Sequence, residues 1–301
     1  MKVLSTDKQL DVLRLATEGN SISTISRLTD AHRDTCSRLL LRFGNACDKF
    51  LKAEICDFES SHIQIDEIWT FCRKKQKKLA ENDAEKDVLG DMYIYVALDE
   101  ASKLVIAHRV DKRNEDTTFF FMRELMRRLR IPRRHELHNK WNCDCTTAFR
   151  ISTDAYPSYP YAIDNTFGPL ARHGVLKKQM VGKGKDKKLL IAKKARAVGI
   201  EPEDITTSLV ERNNLTIRTF MRRLMRKSLG FSKKIENLRA AASLHFAYYN
   251  YCWVHRRFKS TAAERAGLIN KKWRLTDLYD HLRGRWPQDF FGVDQNAVQH
   301  N

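Results

Sequence analysis

Three acidic residues stand where a solvated surface charge is out of place. Asp66 lies inside HIQIDEIW, a run with apolar neighbours on both sides. Asp154 follows FRIST, at the C-terminal end of an expected strand, where α/β sheets open toward a ligand crevice. Glu211 lies in SLVERNNLTIRTFMRRLMRK, an expected helix dominated by Arg and Asn. Carboxylates gathered in one place repel each other, and a hard divalent cation relieves the repulsion. Two Mg2+ ions about 3.5–4 Å apart can activate an attacking oxygen and stabilise a leaving one at phosphorus. Each residue alone has a plainer explanation, since an Asp after a strand caps a turn and a helical Glu faces water. The combination of two strand positions and one helix position is the specific signal.

The Glu211 stretch adds detail. At helical spacing Asn214, Arg218 and Arg222 follow Glu211 on one face. Amide and guanidinium groups beyond a carboxylate suit a metal-held phosphate at one end and further phosphates along the helix. Residues 183–239 carry 16 basic and 6 acidic side chains, more than half of the excess in a chain of 301 residues with 55 basic, 37 acidic and a net charge of +18. Such an excess points to a polyanionic partner, nucleic acid first and a membrane surface second. The longest apolar-rich stretches, 92–98 and 244–254, are far short of the roughly 20 residues that span a bilayer. The opening MKVLSTDKQLD turns polar too soon for a signal peptide. Seven scattered cysteines suit a reducing compartment better than a disulfide framework.

The elements that must position these residues follow from periodicity. Before residue 58 the pattern is helical. Leu10, Leu13 and Leu15 form a first apolar stripe, and Ser21 can cap a second helix carrying Ile22, Ile25 and Leu28. A third helix follows Asp30, with Cys36, Leu39, Leu40 and Phe43 inward and Arg33, Asp34, Ser37 and Arg38 outward. Three short helices with a tight turn match a helix-turn-helix whose last helix enters the major groove, leaving Arg33, Ser37 and Arg38 to read base edges. A small packing or dimerisation bundle is the alternative. Residues 45–56 continue the helix or form a linker. From residue 60 the period becomes two: Ile63, Ile65 and Ile68 flank Asp66, 93–98 and 104–109 form strands joined by a tight turn at Asp99, and 149–153 and 175–181 add two more. Helices are expected at 114–129, 206–227 and 232–254. This order is that of a ribonuclease-H-like α/β domain with a mixed five-stranded sheet and flanking helices.

The segments IQIDEIW, YIYVALDEASKLVIAH, STDAYPSY and LVERNNLTIRTFMRRLMRKSLGFSK together resemble the DDE transposases of bacterial insertion sequences, specifically the insertion-sequence-one family. The resemblance runs from about residue 20 to 255 and includes a stretch similar to the family's helix-turn-helix. It implies a helix-turn-helix DNA-binding domain over 1–56, a ribonuclease-H-like DDE catalytic domain over 60–255 and a C-terminal extension over 256–301, with Trp273 and Trp286 available for packing. It places the catalytic and metal-binding set on Asp66, Asp154 and Glu211, with two Mg2+ or Mn2+ ions. The implied activity is binding of inverted-repeat ends of double-stranded DNA, cleavage that frees 3'-hydroxyls, and joining of those hydroxyls to target DNA. A homodimer or larger assembly and a cytoplasmic, nucleoid-associated location in a bacterium are implied as well. The sequence departs from the family in having no cysteine-rich zinc element ahead of the helix-turn-helix. The rival function is a catalytically silent relative that keeps the fold and acts as a DNA-binding regulator.

Other features admit two readings each. His135, His138, Cys143 and Cys145 offer zinc ligands at a spacing unlike common zinc sites, or form a polar loop. The basic runs 73–78 and 183–196 form loops touching phosphates, or solvated faces. Trp69 stacks on an unpaired base near the cut or packs in the core. Glu67 neighbours Asp66 but points to the opposite face of a strand, which excludes it from the metal set.

Overall fold

The alternating stretch after residue 60 becomes the central strand of a sheet. The computed structural model describes residues 4–80, 87–131, 149–181, 188–196, 201–225 and 228–288. Strands β1 (His62–Cys72), β2 (Gly90–Asp99), β3 (Val105–Asp111), β4 (Phe149–Asp154), β5 (Ala171–Val181) and β6 (Lys188–Ala195) lie in the order β3-β2-β1-β4-β5-β6. The β1–β2, β2–β3 and β5–β6 pairs are antiparallel, whereas β1–β4 and β4–β5 are parallel. That is the ribonuclease-H-like arrangement, with one strand more than the five expected. The sixth, β6, falls in the basic run 183–196, expected as loop or solvated face; its pairing with β5 supplies the register that its charge pattern hides. Helices α4 (Glu115–Arg128) and α5 (Ser158–Phe167) flank the sheet. Asn114 caps α4 by accepting the Thr117 amide, and Phe121, Met122 and Leu125 are buried while Phe120 is exposed.

The chain divides into two compact units, Ile55–Thr216 and Met1–Glu54 with Ile217–Asn301. The first holds the sheet. The second is helical: α1 (Thr6–Thr17), α2 (Ile22–Thr29), α3 (Arg33–Glu54), the end of α6 (Ser208–Phe220), α7 (Ile235–Tyr251), the one-turn α8 (Ala262–Arg265) and α9 (Leu275–Arg285). Ser21 caps α2 by accepting the Thr24 amide, and Asp30 ends it in the left-handed conformation. Val12, Ile25, Ala31 and Cys36 form the core of the first three helices. Helix α3 then continues without interruption to Glu54, so 45–56 is helix for most of its length.

This division runs differently from the expected boundaries 1–56, 60–255 and 256–301. Residues after Ile217, including the whole supposed extension as far as it is described, share a unit with the N-terminal helices. Tyr279 of α9 stacks on Phe43 of α3 at 6.0 Å, and Trp273 lies 5.7 Å from Phe50 and 5.1 Å from His281. Apolar stripes show that these helices are amphipathic but cannot show which stripe meets which. The helix expected over 206–227 also ends early. Met221 turns extended, one 3-10 turn spans Arg222–Leu224, and Gly230 folds back on the Arg222 carbonyl. A straight helix through 227 forbids that return. Among the described residues no helix is long and apolar enough to cross a membrane. The four residues His135, His138, Cys143 and Cys145 lie outside the described residues.

Gly44 of α3 faces the backbone of α7, and a Cβ there meets the Ala240 carbonyl oxygen at 2.2 Å. Because that neighbour is backbone, the helices must separate to admit a methyl group. Gly44→Ala is expected to lower stability by about 1–3 kcal/mol despite its better helix propensity. Thermal unfolding followed by circular dichroism measures it.

Candidate active site

Parallel register brings the first two carboxylates together. The β1–β4 ladder pairs His62 with Arg150, Ile63 with Ile151 and Gln64 with Ser152, then stops. Two residues further along each strand stand Asp66 and Asp154, on the same side as Gln64 and Ser152 by strand alternation. Glu211, in the first turn of α6, lines the same open cleft of about 640 Å³ with Asp66, Asp154, Arg113, Lys177 and Lys178. The three expected residues therefore share one cleft.

The tightest carboxylate group includes a residue that strand alternation had excluded. Oxygen atoms of Asp66, Glu67 and Asp154 lie within 4.8 Å of one another. The β1–β4 ladder pairs no residues beyond Gln64 and Ser152, and β4 itself ends at Asp154, so the Glu67 carboxylate comes within reach of Asp154 past the end of that strand. Glu67 is almost wholly buried, and its Oε1 has no hydrogen-bond partner among the described residues. Burial, with the nearby Asp154 charge, raises its pKa to about 7. Asp66 is raised to about 6 by burial, opposed by a backbone hydrogen bond and reinforced by the charges of Asp154 and Glu211. Hard oxygens, crowding and a buried orphan acceptor form a donor set that fits Mg2+ or Mn2+.

Cations and an amide hold these carboxylates in place. Arg113, just after β3, donates through Nη2 to Glu67 Oε2 and Asp154 Oδ2, each at 3.3 Å, with its guanidinium 3.9 Å from the Tyr156 ring centre. The Tyr156 amide donates to Asp154 Oδ1 at 3.0 Å. Glu211 Oε1 accepts from Lys178 and from the Thr207 hydroxyl. Asn214 donates to Asp66 Oδ2 at 2.8 Å and is nearly buried. Expected to contact DNA, Asn214 lies three residues beyond Glu211, faces the sheet and orients a carboxylate.

The start of α6 is anchored by a second polar network. Gln64 is fully buried and accepts the amides of Leu209 and Val210, at 3.0 and 3.2 Å, two of the unpaired donors of a helix N-terminus. Its Nε2 donates to Glu100, which also pairs with His62 Nδ1, while His62 Nε2 lies 2.8 Å from the Ser152 hydroxyl. Central strands are thereby tied to the turn of helix that carries Glu211.

The expected DNA-reading residues fall in the helical unit. Arg33 and Arg38 are exposed on the first two turns of α3 and Ser37 is half-buried. Arg218 occupies the last turn of α6. Arg222 lies outside that helix, which corrects its placement on the Glu211 face; its Nη1 contacts the Met225 sulfur. Arg33, Ser37 and Arg222 meet nonetheless, lining with Arg223 and Lys233 a cavity of about 310 Å³ that has no acidic side chain in its wall. Trp69 is half-buried, 5.9 Å from the Phe71 ring. Glu67 was recoverable from its adjacency to Asp66; Arg113 and Gln64 carried no signal along the chain.

With a folded pKa of about 7 against roughly 4.3 unfolded, Glu67 favours the metal-free fold most below pH 4. That contribution is lost as pH rises through 7. In chelator, Glu67→Gln should therefore match the wild type near pH 4 and exceed it at pH 8 by on the order of 3 kcal/mol. Thermal unfolding at both pH values tests this, and a difference independent of pH would contradict the assignment.

Residues 191–249, which include α6 and most of α7, match the family model of the IS1 transposase. No curated protein matches the chain by sequence. Among solved structures it is similar to a chain of a pre-cleavage Mos1 transpososome, at 13% identity over 57% of this chain and 60% of that one, with a TM-score of 0.23. The Mos1 strand transfer complex gives 16% identity, 57% and 59% coverage and a TM-score of 0.23. The Mos1 mariner paired-end complex with Mn gives 14% identity, 56% and 58% coverage and a TM-score of 0.20. The chain spans about three-fifths of the length of those solved chains.

Proposed function

We propose that this chain is a metal-dependent DNA transposase of insertion-sequence type, which binds the inverted-repeat ends of a mobile element, cuts to free 3'-hydroxyls and joins them to target DNA. The observation that carries the reading is the convergence of Asp66, Glu67 and Asp154 oxygens within 4.8 Å, with Glu211 in the same cleft. The IS1 transposase match over the helix that supplies Glu211 supports it.

Asp66, Asp154 and Glu211, joined by Glu67, would hold Mg2+ or Mn2+, two ions in the resemblance. Bound there, the metal supplies Lewis acidity, which activates an attacking oxygen and stabilises a leaving one at phosphorus. The chain's own residues do the rest. Asn214 fixes the rotamer of Asp66, and Gln64 fixes the start of α6. Arg113, Lys177 and Lys178 set three positive charges around the carboxylates, where a phosphodiester entering the cleft carries its negative charge. Arg33, Ser37 and Arg38 read the ends. Two copies, each holding one end, bring the ends together, which makes the working form a homodimer or larger.

Replacement of Asp154 by Ala should reduce Mg2+-dependent nicking and strand transfer on flanking inverted repeats to background while end binding stays within about threefold. Affinity comes from many cationic contacts away from the reacting phosphate. The assay also decides against the silent regulator, which binds the same ends and cuts neither as wild type nor as variant. Substantial metal-dependent cleavage by Asp154→Ala would remove the metal-site assignment.

A further inference from the structure

The outer part of the β5–β6 hairpin has little of the protein packed against it. His173, Gly174 and Leu176 at the base of β5 are buried or nearly so, whereas Lys177, Lys178 and Gln179 are exposed, as are residues 189–194 of β6. Leu189, Leu190 and Ile191 are 52%, 57% and 53% exposed. Strand β6 is also the outermost strand of the sheet, so one of its edges is unpaired within the sheet. An apolar edge strand left bare is a template for unwanted pairing, and native chains cover or charge it.

Here it is charged. Register places Lys193 opposite Leu176 and Lys194 opposite Val175, one to three rungs from Lys177 and Lys178. Four lysines therefore collar the base of the ribbon on both faces, with Ile191 level with Lys178 and Leu190 and Leu189 beyond them. Neither β5 nor β6 contains an acidic residue. A second copy pairing along β6 would bring two lysine-bearing strands together with no carboxylate from either to neutralise them, whereas a phosphate backbone neutralises them directly. The ribbon also starts at the cleft: Lys178 pairs with Glu211, and Lys177 lines the cleft wall. At about 3.4 Å per residue, Val181 lies roughly 10 Å beyond Lys178.

We propose that the β5–β6 ribbon is an arm that grips double-stranded DNA beside the cleft. Its lysines lie on phosphates, and Leu189 and Ile191, which share one face of β6, lie in the adjoining groove, which is wide enough in the major groove to admit a two-stranded ribbon. The identification of the polyanion as DNA rests on the function proposed above. The arm adds a contact beside the cleft that is independent of base reading by α3.

The test uses the full chain and a duplex carrying one inverted repeat, with affinity measured across a range of salt concentrations. Lys193→Ala with Lys194→Ala should weaken binding about tenfold near 0.1 M salt and flatten the slope of log K against log salt by between one and two. Lys193→Arg with Lys194→Arg should restore both. Leu189→Ser with Ile191→Ser should weaken binding several-fold and leave the slope unchanged. All three pairs lie on exposed positions, and an unaltered melting temperature checks folding. Unchanged affinity and slope in the lysine-to-alanine variant would overturn the proposal. So would sedimentation showing that the serine variant dissolves an oligomer formed without DNA, since the ribbon would then be a contact between copies. If wild-type protein binds with the expected slope differences and cuts nothing in Mg2+, the arm stands and the transposase reading falls. If it cuts normally and the ribbon variants bind like wild type, the reverse holds.

Discussion

Carboxylate repulsion sets the terms for the rest of the sheet unit. Two unit charges 4.8 Å apart interact by about 3–4 kcal/mol at an effective dielectric of 20, and Asp66, Glu67 and Asp154 crowd three groups into that distance. Whole domains are stable by only about 5–15 kcal/mol. The fold therefore cannot hold all three ionised without compensation. Arg113 bridges two of them, Asn214 donates to the third, and burial lets Asp66 and Glu67 keep protons toward neutral pH. Protons, a guanidinium and a divalent cation are alternative ways of relieving one strain, which is why such a cluster is poised to take up metal.

Holding Glu211 at the same cleft requires a helix to be fixed against a sheet. Gln64 does this by accepting the first free amides of α6, and its own amide group is tied back through Glu100 and His62 to Ser152. Every polar group in this chain is buried or half-buried between strands and helix, where an unmade hydrogen bond costs about 1–3 kcal/mol. The arrangement is rigid for that reason. It couples the strand carrying Asp66, the strand carrying Asp154 and the helix carrying Glu211 through side chains.

Positive charge is distributed differently. It is sparse in the middle of the sheet and concentrated on the β5–β6 ribbon, on the first turns of α3 and on the 3-10 turn at Arg222–Leu224. Only a few cations face the carboxylates, since pairing there uses them up. Farther out, Arg33, Arg38, Lys193 and Lys194 are exposed, whereas Arg222 and Arg223 are half-buried.

Much was legible along the chain because it depends on neighbours in sequence. The period-two stretch around Asp66, the Ser21 cap, the turn at Asp99 and the helix after Asn114 are local consequences of side-chain alternation, capping and turn chemistry, and all four are present. Asp66, Asp154 and Glu211 could be singled out because a carboxylate in apolar or cationic surroundings is conspicuous by type. What escaped depends on which elements meet. Strand alternation excludes Glu67, but β4 ends at Asp154 and the Glu67 carboxylate comes within reach of it past the end of that strand. Helical spacing assigns Asn214 to DNA and carries Arg222 on one straight helix, whereas packing turns the first onto Asp66 and breaks the helix before the second. The C-terminal helix looked like an appendage until Tyr279 met Phe43. Spacing in a chain shows which residues share a face. Which face meets which partner is decided by the burial and pairing of residues tens to hundreds of positions apart, and only the assembled fold contains those contacts.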